Sequence, residues 1–240
     1  MSQINLIVKC INNDKYNVFI IADDEYIGPT INAGHEWDGW MREDVQKYYV
    51  PGTEIFDIGA NIGYNSLMFS DYGPVYAFEP VYHKIVKLNI ENNKLKHPIY
   101  SIPVALSNNS ESVNMYLPNK VKTTGLRNYG GTSIHVDEGT DHSNKITVMC
   151  KRLDDIYREK GKVSFIKLDV EGHEPQVLEG AREVITKNLP TILVELIDYE
   201  NSKVPQILKE FGYTENPMRR PEKMYLFRSP LHNYTLTIMG

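Results

Sequence analysis

Apolar and polar positions alternate at the start of the chain. Ile4-Asn5-Leu6-Ile7-Val8, a polar break at Asn12-Asn13-Asp14-Lys15, and Tyr16-Asn17-Val18-Phe19-Ile20 predict a strand, a turn and a second strand. From about Glu36 to Tyr49, Trp37, Trp40, Met41, Val45 and Tyr48 recur at mixed three- and four-residue spacing, which predicts an amphipathic helix stopped by Pro51-Gly52. The pattern then switches repeatedly between short apolar runs and helical spacing. Strands are predicted near 54–58, 75–79, 99–105, 163–169 and 191–196, and helices near 62–70, 81–94, 175–187 and 201–211. Alternation of this kind predicts an α/β fold, a parallel sheet with helices on both faces. Gly212-Tyr213 and Met224-Tyr225-Leu226-Phe227 predict closing strands, an antiparallel pair. Residues 118–144 break the pattern and read as a long loop rich in Gly, Asn, Thr and Asp, a feature that in a compact domain is functional or disordered.

With 240 residues and 41% hydrophobic content, the chain can bury one substantial core. We divide it into an N-terminal hairpin and lid-helix extension, 1–50, and a main domain, 51–240, forming one compact unit. The net charge is −5 and Lys and Arg are scattered, so no footprint for nucleic acid is present. No apolar run approaches the ~20 residues of a membrane span, and the first residues lack a signal peptide's apolar core. Cys10 and Cys150 form neither a metal-ligand spacing nor a disulfide framework. A reducing, cytoplasmic setting is the expectation. The sequence does not set the oligomeric state.

Two segments carry chemistry. The first is Asp57-Ile58-Gly59-Ala60-Asn61-Ile62-Gly63, between a predicted strand and a predicted helix, with Glu79 closing the next strand sixteen residues after Gly63. A glycine-bearing turn lets backbone approach a ligand, and an acid at the following strand end can hold a ribose diol. A dinucleotide fingerprint would need glycines at 59, 61 and 64, but the chain has Gly59, Asn61 and Tyr64. The missing second glycine removes the close approach to a pyrophosphate. Asp57 at the strand end would repel phosphates and suit an ammonium or a sulfonium. S-adenosylmethionine carries both cations, a ribose diol and no phosphate, so this chemistry favours it over NAD or ATP.

The second segment is Ile166-Lys167-Leu168-Asp169-Val170-Glu171-Gly172-His173-Glu174, followed by Pro175 at a helix start. An apolar strand delivers Asp169 to the same edge as Asp57, and Glu171, His173 and Glu174 follow within one turn. Two uses fit. His173 can be a general base toward an acceptor hydroxyl, its ring oriented by Glu171 or Glu174, with an unperturbed pKa of ~6.5. Alternatively Asp169, Glu171 and His173 can hold a divalent metal such as Mg or Mn that acidifies the hydroxyl.

These residues resemble the FkbM family of S-adenosylmethionine-dependent methyltransferases. The matching blocks are Asp57 to Tyr64, Val75 to Pro80, Leu88 to Asn92, Val104 to Ser107, Arg152 to Asp155, Ile166 to Glu174 and Leu193 to Glu195, in family order over about 50–200. The resemblance implies a class I methyltransferase (Rossmann-like) fold, a seven-stranded mostly parallel sheet with the cofactor at the strand ends. It implies that Asp57, Gly59, Ala60, Asn61, Gly63 and Tyr64 surround the methionine and ribose, that Glu79, followed by Pro80, binds the ribose, and that Ala105 to Ser107 flank the adenine. It also implies that Asp169 faces the methionine and the acceptor. His173 departs from the family, which often has Ala there. Family members mostly O-methylate sugars, glycolipids or polyketide-derived products.

The expected function is O-methylation of a sugar, glycan or glycosylated small molecule, with catalytic roles for His173, Asp169 and Glu171. The Trp37/Trp40/Met41 segment and the 118–144 loop are expected as lids, with core packing equally open for the two tryptophans; Tyr129, His135 and His142 read first as plain loop residues and second as acceptor contacts. Two alternatives stay open: a catalytically silent glycan- or partner-binding module, and a nucleotide-dependent oxidoreductase, which Asn61 and Tyr64 disfavour.

Overall fold

The computed structural model describes residues 6–231 apart from 14, 137, 158–160 and 215. Strands β1 (Val8–Asn12) and β2 (Asn17–Ile21) form an antiparallel hairpin, paired from Val8↔Ile21 to Asn12↔Asn17. The first strand lies later in the chain than the alternation predicts, because Asn13 sets the turn. Its side-chain oxygen accepts the Tyr16 N–H at 2.9 Å, and its own N–H donates to the Tyr16 carbonyl at 3.1 Å. Ile4, Asn5 and Asp14 lie outside the described residues. Helix α1 (Ile27–Asn32) is not predicted by the pattern; α2 (Met41–Tyr48) is, but it begins later than Glu36 because residues 37–40 form a turn with Asp38 at φ +51°.

The alternating core follows as β3 (Glu54–Ile58), α3 (Tyr64–Phe69), β4 (Val75–Phe78), α4 (His83–Glu91) and β5 (Ile99–Ile102). The predicted strand 99–105 is split at Pro103, which has no N–H to give a ladder. Beyond it, β6 (Ala105–Leu106) leaves the main sheet. β7 (Ser112–Pro118) and β8 (Thr140–Lys151) form a long antiparallel ribbon, and β6 joins it beside β8. The predicted loop therefore contracts to 119–139, with one turn of 3-10 helix at Tyr129–Gly131.

The chain continues through α5 (Leu153–Ile156), β9 (Val163–Leu168), α6 (Glu174–Gly180), α7 (Arg182–Asn188), β10 (Thr191–Glu195), α8 (Val204–Glu210), β11 (Met218–Arg219) and β12 (Met224–Phe227). The single helix predicted over 175–187 is two. Gly180 passes so close to the Ser107 carbonyl that a Cβ would lie 2.0 Å from its oxygen. The Asp154 carboxylate then caps the new helix, accepting the Glu183 and Val184 N–H groups at 3.1 and 3.0 Å. Gly212-Tyr213 forms no strand; Tyr213 instead donates its hydroxyl to the Pro190 carbonyl at 2.5 Å.

The main sheet has seven strands in the order β11-β12-β10-β9-β3-β4-β5. The five strands β3, β4, β5, β9 and β10 are parallel, and β12 and β11 close one edge antiparallel. Strict side-chain alternation gives each face its own core. Ile55, Phe165 and Leu193 pack with Val18, Ile31, Val45, Leu67 and Val86, whereas Phe56, Ile166 and Ile192 pack with Val177, Ile185 and Leu208. Each such side chain contributes about 1.5–3 kcal/mol by leaving water. The hairpin and helices of residues 1–50 thus supply much of one core.

Asn89, fully buried on α4, ties the hairpin down. Its amide oxygen accepts the Phe19 N–H at 2.6 Å, and its amide nitrogen donates to the Phe19 and Ile62 carbonyls at 3.2 and 2.7 Å. The strand order reverses between β3 and β9. In a wound sheet that reversal opens a crevice at the strand C-termini, here between the turns at 59–63 and 169–173.

Candidate active site

The turn after β3 needs its glycine. Gly59 sits at φ +79°, and a Cβ there would lie 1.8 Å from the Asp169 carbonyl oxygen. Asn61 follows at φ +53°, which Asn tolerates better than most residues. Its N–H donates to Glu79 Oε2 at 3.0 Å, while Glu79 Oε1 accepts the Val81 and Tyr82 N–H groups at 2.7 and 2.9 Å. Glu79 is only 6% exposed and locks the turns after β3 and β4 together. Burial pushes its carboxyl up to about 7, against the pull of those three donors.

Lys167 is the electrostatic centre. It is 3% exposed, and its Nζ lies 3.1 Å from Asp169 Oδ2 and 3.6 Å from Asp57 Oδ1, and donates to the Gly59 carbonyl at 2.9 Å. Burial favours loss of its proton, but Asp169 and Asp57 hold the charge and raise its pKa. Asp57 is fully buried, with Oδ2 accepting the Ser66 hydroxyl at 2.5 Å. Its carboxylate faces Lys167 and Ser66, beneath the crevice.

The crevice is a cleft of about 410 Å³. Among the residues expected at the cofactor, Gly59, Ala60, Asn61, Tyr64, Glu79, Pro80, Ala105 and Asp169 line it, while Asp57, Gly63 and Ser107 lie behind the wall. Gly63 packs on Val86 and Ser107 on His173. Its apolar lining includes Val81, Ala105, Met115 and Ile134, which pack in one small cluster and form an apolar end. Both segments expected as lids contribute: Trp37 and Met41 from one, Asn128, Gly130, Thr132 and Ile134 from the other. Trp40 does not line the cleft and packs against the core. Tyr129 is buried, its hydroxyl donating to Asp23 at 2.9 Å, and His142 packs on Tyr116.

The turn after β9 carries the acids. Glu171 holds φ +55°, strained for a residue with a Cβ, and Ser133 fixes it by donating its hydroxyl to the Glu171 carbonyl at 2.9 Å. Glu174 caps the turn, its Oε1 accepting the Val170 and Gly172 N–H groups at 3.1 and 3.2 Å. Neither acid orients His173. That ring contacts Ser107 Oγ through Nε2 at 3.0 Å and His135 Nε2 through Nδ1 at 3.3 Å. Burial, with His135 beside it, lowers His173 to about 4, so the ring is neutral near pH 7 and far from the titration near 6.5 that a free imidazole would offer.

A different third partner joins the acids. Asp169, Glu171 and Glu195 present carboxylate oxygens all within 4.8 Å of one another. Glu195 takes the place expected of His173 in that group. Burial and then the Asp169 charge push Glu171 up to about 8 and Glu195 up to about 9. Glu195 Oε2 is buried without a hydrogen-bond partner among the described residues. Lys167, Glu195, Asp38, Met115 and Ile134 all line the cleft without having been singled out as site residues. The usable signal was a charged residue inside an apolar strand run, since Lys167 and Glu195 sit in strands buried on both faces and such charges require partners.

Comparison with known proteins is consistent in kind. Residues 57–215 match the methyltransferase FkbM domain. The methyltransferase sdnD of Sordaria araneosa is 29% identical over 170 residues, covering 59% of this chain and 65% of that protein. The 31-O-demethyl-FK506 methyltransferase FkbM of Streptomyces tacrolimicus is 26% identical over 192 residues, covering 68% of this chain and 74% of the relative. A methyltransferase FkbM structure from Methylobacillus flagellatus superposes with a TM-score of 0.43 at 17% identity, covering 78% of this chain and 50% of that one. This chain therefore spans less than two thirds of the length of the Sordaria protein and half of the Methylobacillus chain. With the family match extending over most of its length, and over both chemistry-bearing turns, the chain belongs to the methyltransferase FkbM domain family.

Proposed function

We infer that this chain transfers a methyl group from S-adenosylmethionine to a hydroxyl oxygen of a sugar, glycan or glycosylated small molecule. Family membership supports methyl transfer, and one relative's name describes action at an oxygen. The observation that carries the reading is the cleft itself, which joins an apolar end, a buried Glu79 and a carboxylate trio in one space.

The residues fit the donor. The apolar end suits adenine, Glu79 suits the ribose hydroxyls, and Asp169 with the 59–61 backbone suits the methionine end. The Asn61 Oδ1 oxygen, buried without a partner among the described residues, is an acceptor for a ligand's N–H or O–H. When bound, S-adenosylmethionine supplies a methyl carbon already made electrophilic by its sulfonium. Lys167 offsets part of the acidic charge, so Asp169 attracts that sulfonium without leaving an excess of unpaired carboxylate. Trp37 and the 128–134 segment exclude water. Glu171 receives the acceptor's hydroxyl proton, its carboxyl tuned toward the working pH by burial and Asp169. The same trio is a hard-oxygen donor set for Mg or Mn, which would acidify the hydroxyl instead. Ser107 and His135 fix His173 as a neutral positioning group.

Two measurements test this. S-adenosylhomocysteine should raise the melting temperature whereas NADH should not, and incubation with S-adenosylmethionine and a panel of neutral glycosides should add one methyl mass to an acceptor. No thermal response to S-adenosylhomocysteine removes the reading. For the base, turnover should rise with pH through about 8 as Glu171 loses its proton. Glu171→Gln should lower turnover by about 10²–10⁴-fold and flatten that rise, while His173→Gln should leave the rise in place. Activity abolished by EDTA and restored by Mg or Mn would assign the trio to a cation; activity untouched by EDTA leaves Glu171 as the base.

A further inference from the structure

A second cavity of about 430 Å³ lies against the first, and the two share Glu171. The partition between them is one hydrogen-bonded assembly. Ser133 Oγ accepts the His135 N–H at 3.0 Å and donates to the Glu171 carbonyl at 2.9 Å. His135 faces the second cavity and His173 the first, with the two rings 5.4 Å apart. Ser133 thus holds the strained Glu171 backbone at a residue that lines both cavities.

The lining states what fits. Tyr116, Pro118 and Ile197 offer apolar faces, and Ser133, Thr140 and His135 offer hydrogen-bonding groups. Glu171 is the sole acid among the described lining residues, and no Lys or Arg among them is present to balance an anion. Two rim residues, Val136 and Ile197, leave large apolar side chains 52% and 54% exposed. Both stand beside the cavity, so an apolar ligand face seated there would cover them.

We propose that this second cavity is the acceptor subsite, that it takes an uncharged ring bearing hydroxyls, and that one hydroxyl of that ring passes Glu171 to reach the methyl group. The inference rests on the methyl-transfer reading above and adds to it the recognition site and the charge of the acceptor. The ring stacks its C–H face on Tyr116 and Ile197. Its remaining hydroxyls bond Ser133 and Thr140. Carboxylated or phosphorylated rings are rejected because no Lys or Arg among the described lining residues balances their charge.

The test is methyl and amide NMR on the full chain saturated with S-adenosylhomocysteine. The probes are methyl glycosides of neutral hexoses and 6-deoxyhexoses, with glucuronic acid as the anionic counterpart. Neutral glycosides should shift the Ile197 methyl and the Ser133 and Thr140 amides, and glucuronic acid should shift them at least tenfold more weakly. Ile197→Trp fills a half-exposed rim position and should fold normally. It should weaken the glycoside response at Ser133 and Thr140 at least tenfold and leave S-adenosylhomocysteine affinity within twofold. If S-adenosylhomocysteine binds but every neutral glycoside leaves Ile197, Ser133 and Thr140 unmoved, this proposal fails alone. A response to glucuronic acid equal to that of the neutral probes also overturns it. Failure of S-adenosylhomocysteine to bind defeats the methyl-transfer reading instead.

Discussion

Gly59→Ala should abolish S-adenosylhomocysteine binding and lower the melting temperature by roughly 8 °C or more. The added Cβ would lie 1.8 Å from the Asp169 carbonyl oxygen, and the obstacle is backbone at the end of a central strand, so no side-chain rotation relieves it. Either the 59–63 turn moves out or β9 moves away, and both carry cleft-lining residues. The left-handed φ of +79° adds about 1 kcal/mol for any residue with a Cβ. A displaced strand adds further loss, and at about 2–4 °C per kcal/mol for a chain of this size the sum exceeds ordinary point mutations. Gly52→Ala is the matched control. It has a similar φ of +83° with nothing within 4 Å of a Cβ, so it should lose only the conformational part, about 1 kcal/mol, and keep ligand affinity. Equal melting temperatures for the two variants would show that the contact with Asp169 costs nothing.

Lys167→Met should cost about 3–5 kcal/mol, the range seen when one partner of a buried ion pair is removed. The variant strands Asp57, fully buried, and the half-buried Asp169 without their shared cation. The sign of the pH response follows. Once unpaired, Asp57 has a folded-state pKa well above its unfolded one, so the folded form retains a proton that the unfolded form releases. The deficit should be small at pH 4 and grow as pH rises toward neutrality. Chemical denaturation at pH 4 and pH 7.5 reads both values. Adding Asp57→Asn should recover much of the loss at pH 7.5, because it removes the stranded charge. A deficit independent of pH would mean that Lys167 acts through packing alone.

The wound sheet was legible in the sequence because each central strand is buried on both faces and reads as a bounded apolar run. Gly59, Asn61, Glu79 and Asp169 were legible as a set because their spacing follows strand ends. The ribbon of β7 and β8 was not. Thr140–Lys145 is wet on most positions and therefore looks like a loop, although its backbone pairs with 116–118. Helix α1 is six residues long and holds Gly28 and Pro29, so its pattern has no room to declare itself. The chemistry of His173 also lay out of reach. Its protonation is decided by burial and by His135, 38 positions away, and its ring is held by Ser107, 66 positions away, none of which local spacing can reveal. Asp57 shows the same limit: a carboxylate at a strand end looks available to a ligand until Lys167, far later in the chain on the neighbouring strand β9, is found beside it.

Asn89 behaves like a fragment of main chain lent by a helix. Through one amide it completes the pairing of Phe19 as a neighbouring strand would, and with the same nitrogen it grips the carbonyl of Ile62 inside the turn after β3. The opening hairpin is therefore wired to the turn by a single rivet. A chain begun at residue 51 would leave that amide dangling in a wetted seam, so the hairpin belongs to the folded unit as much as the sheet does.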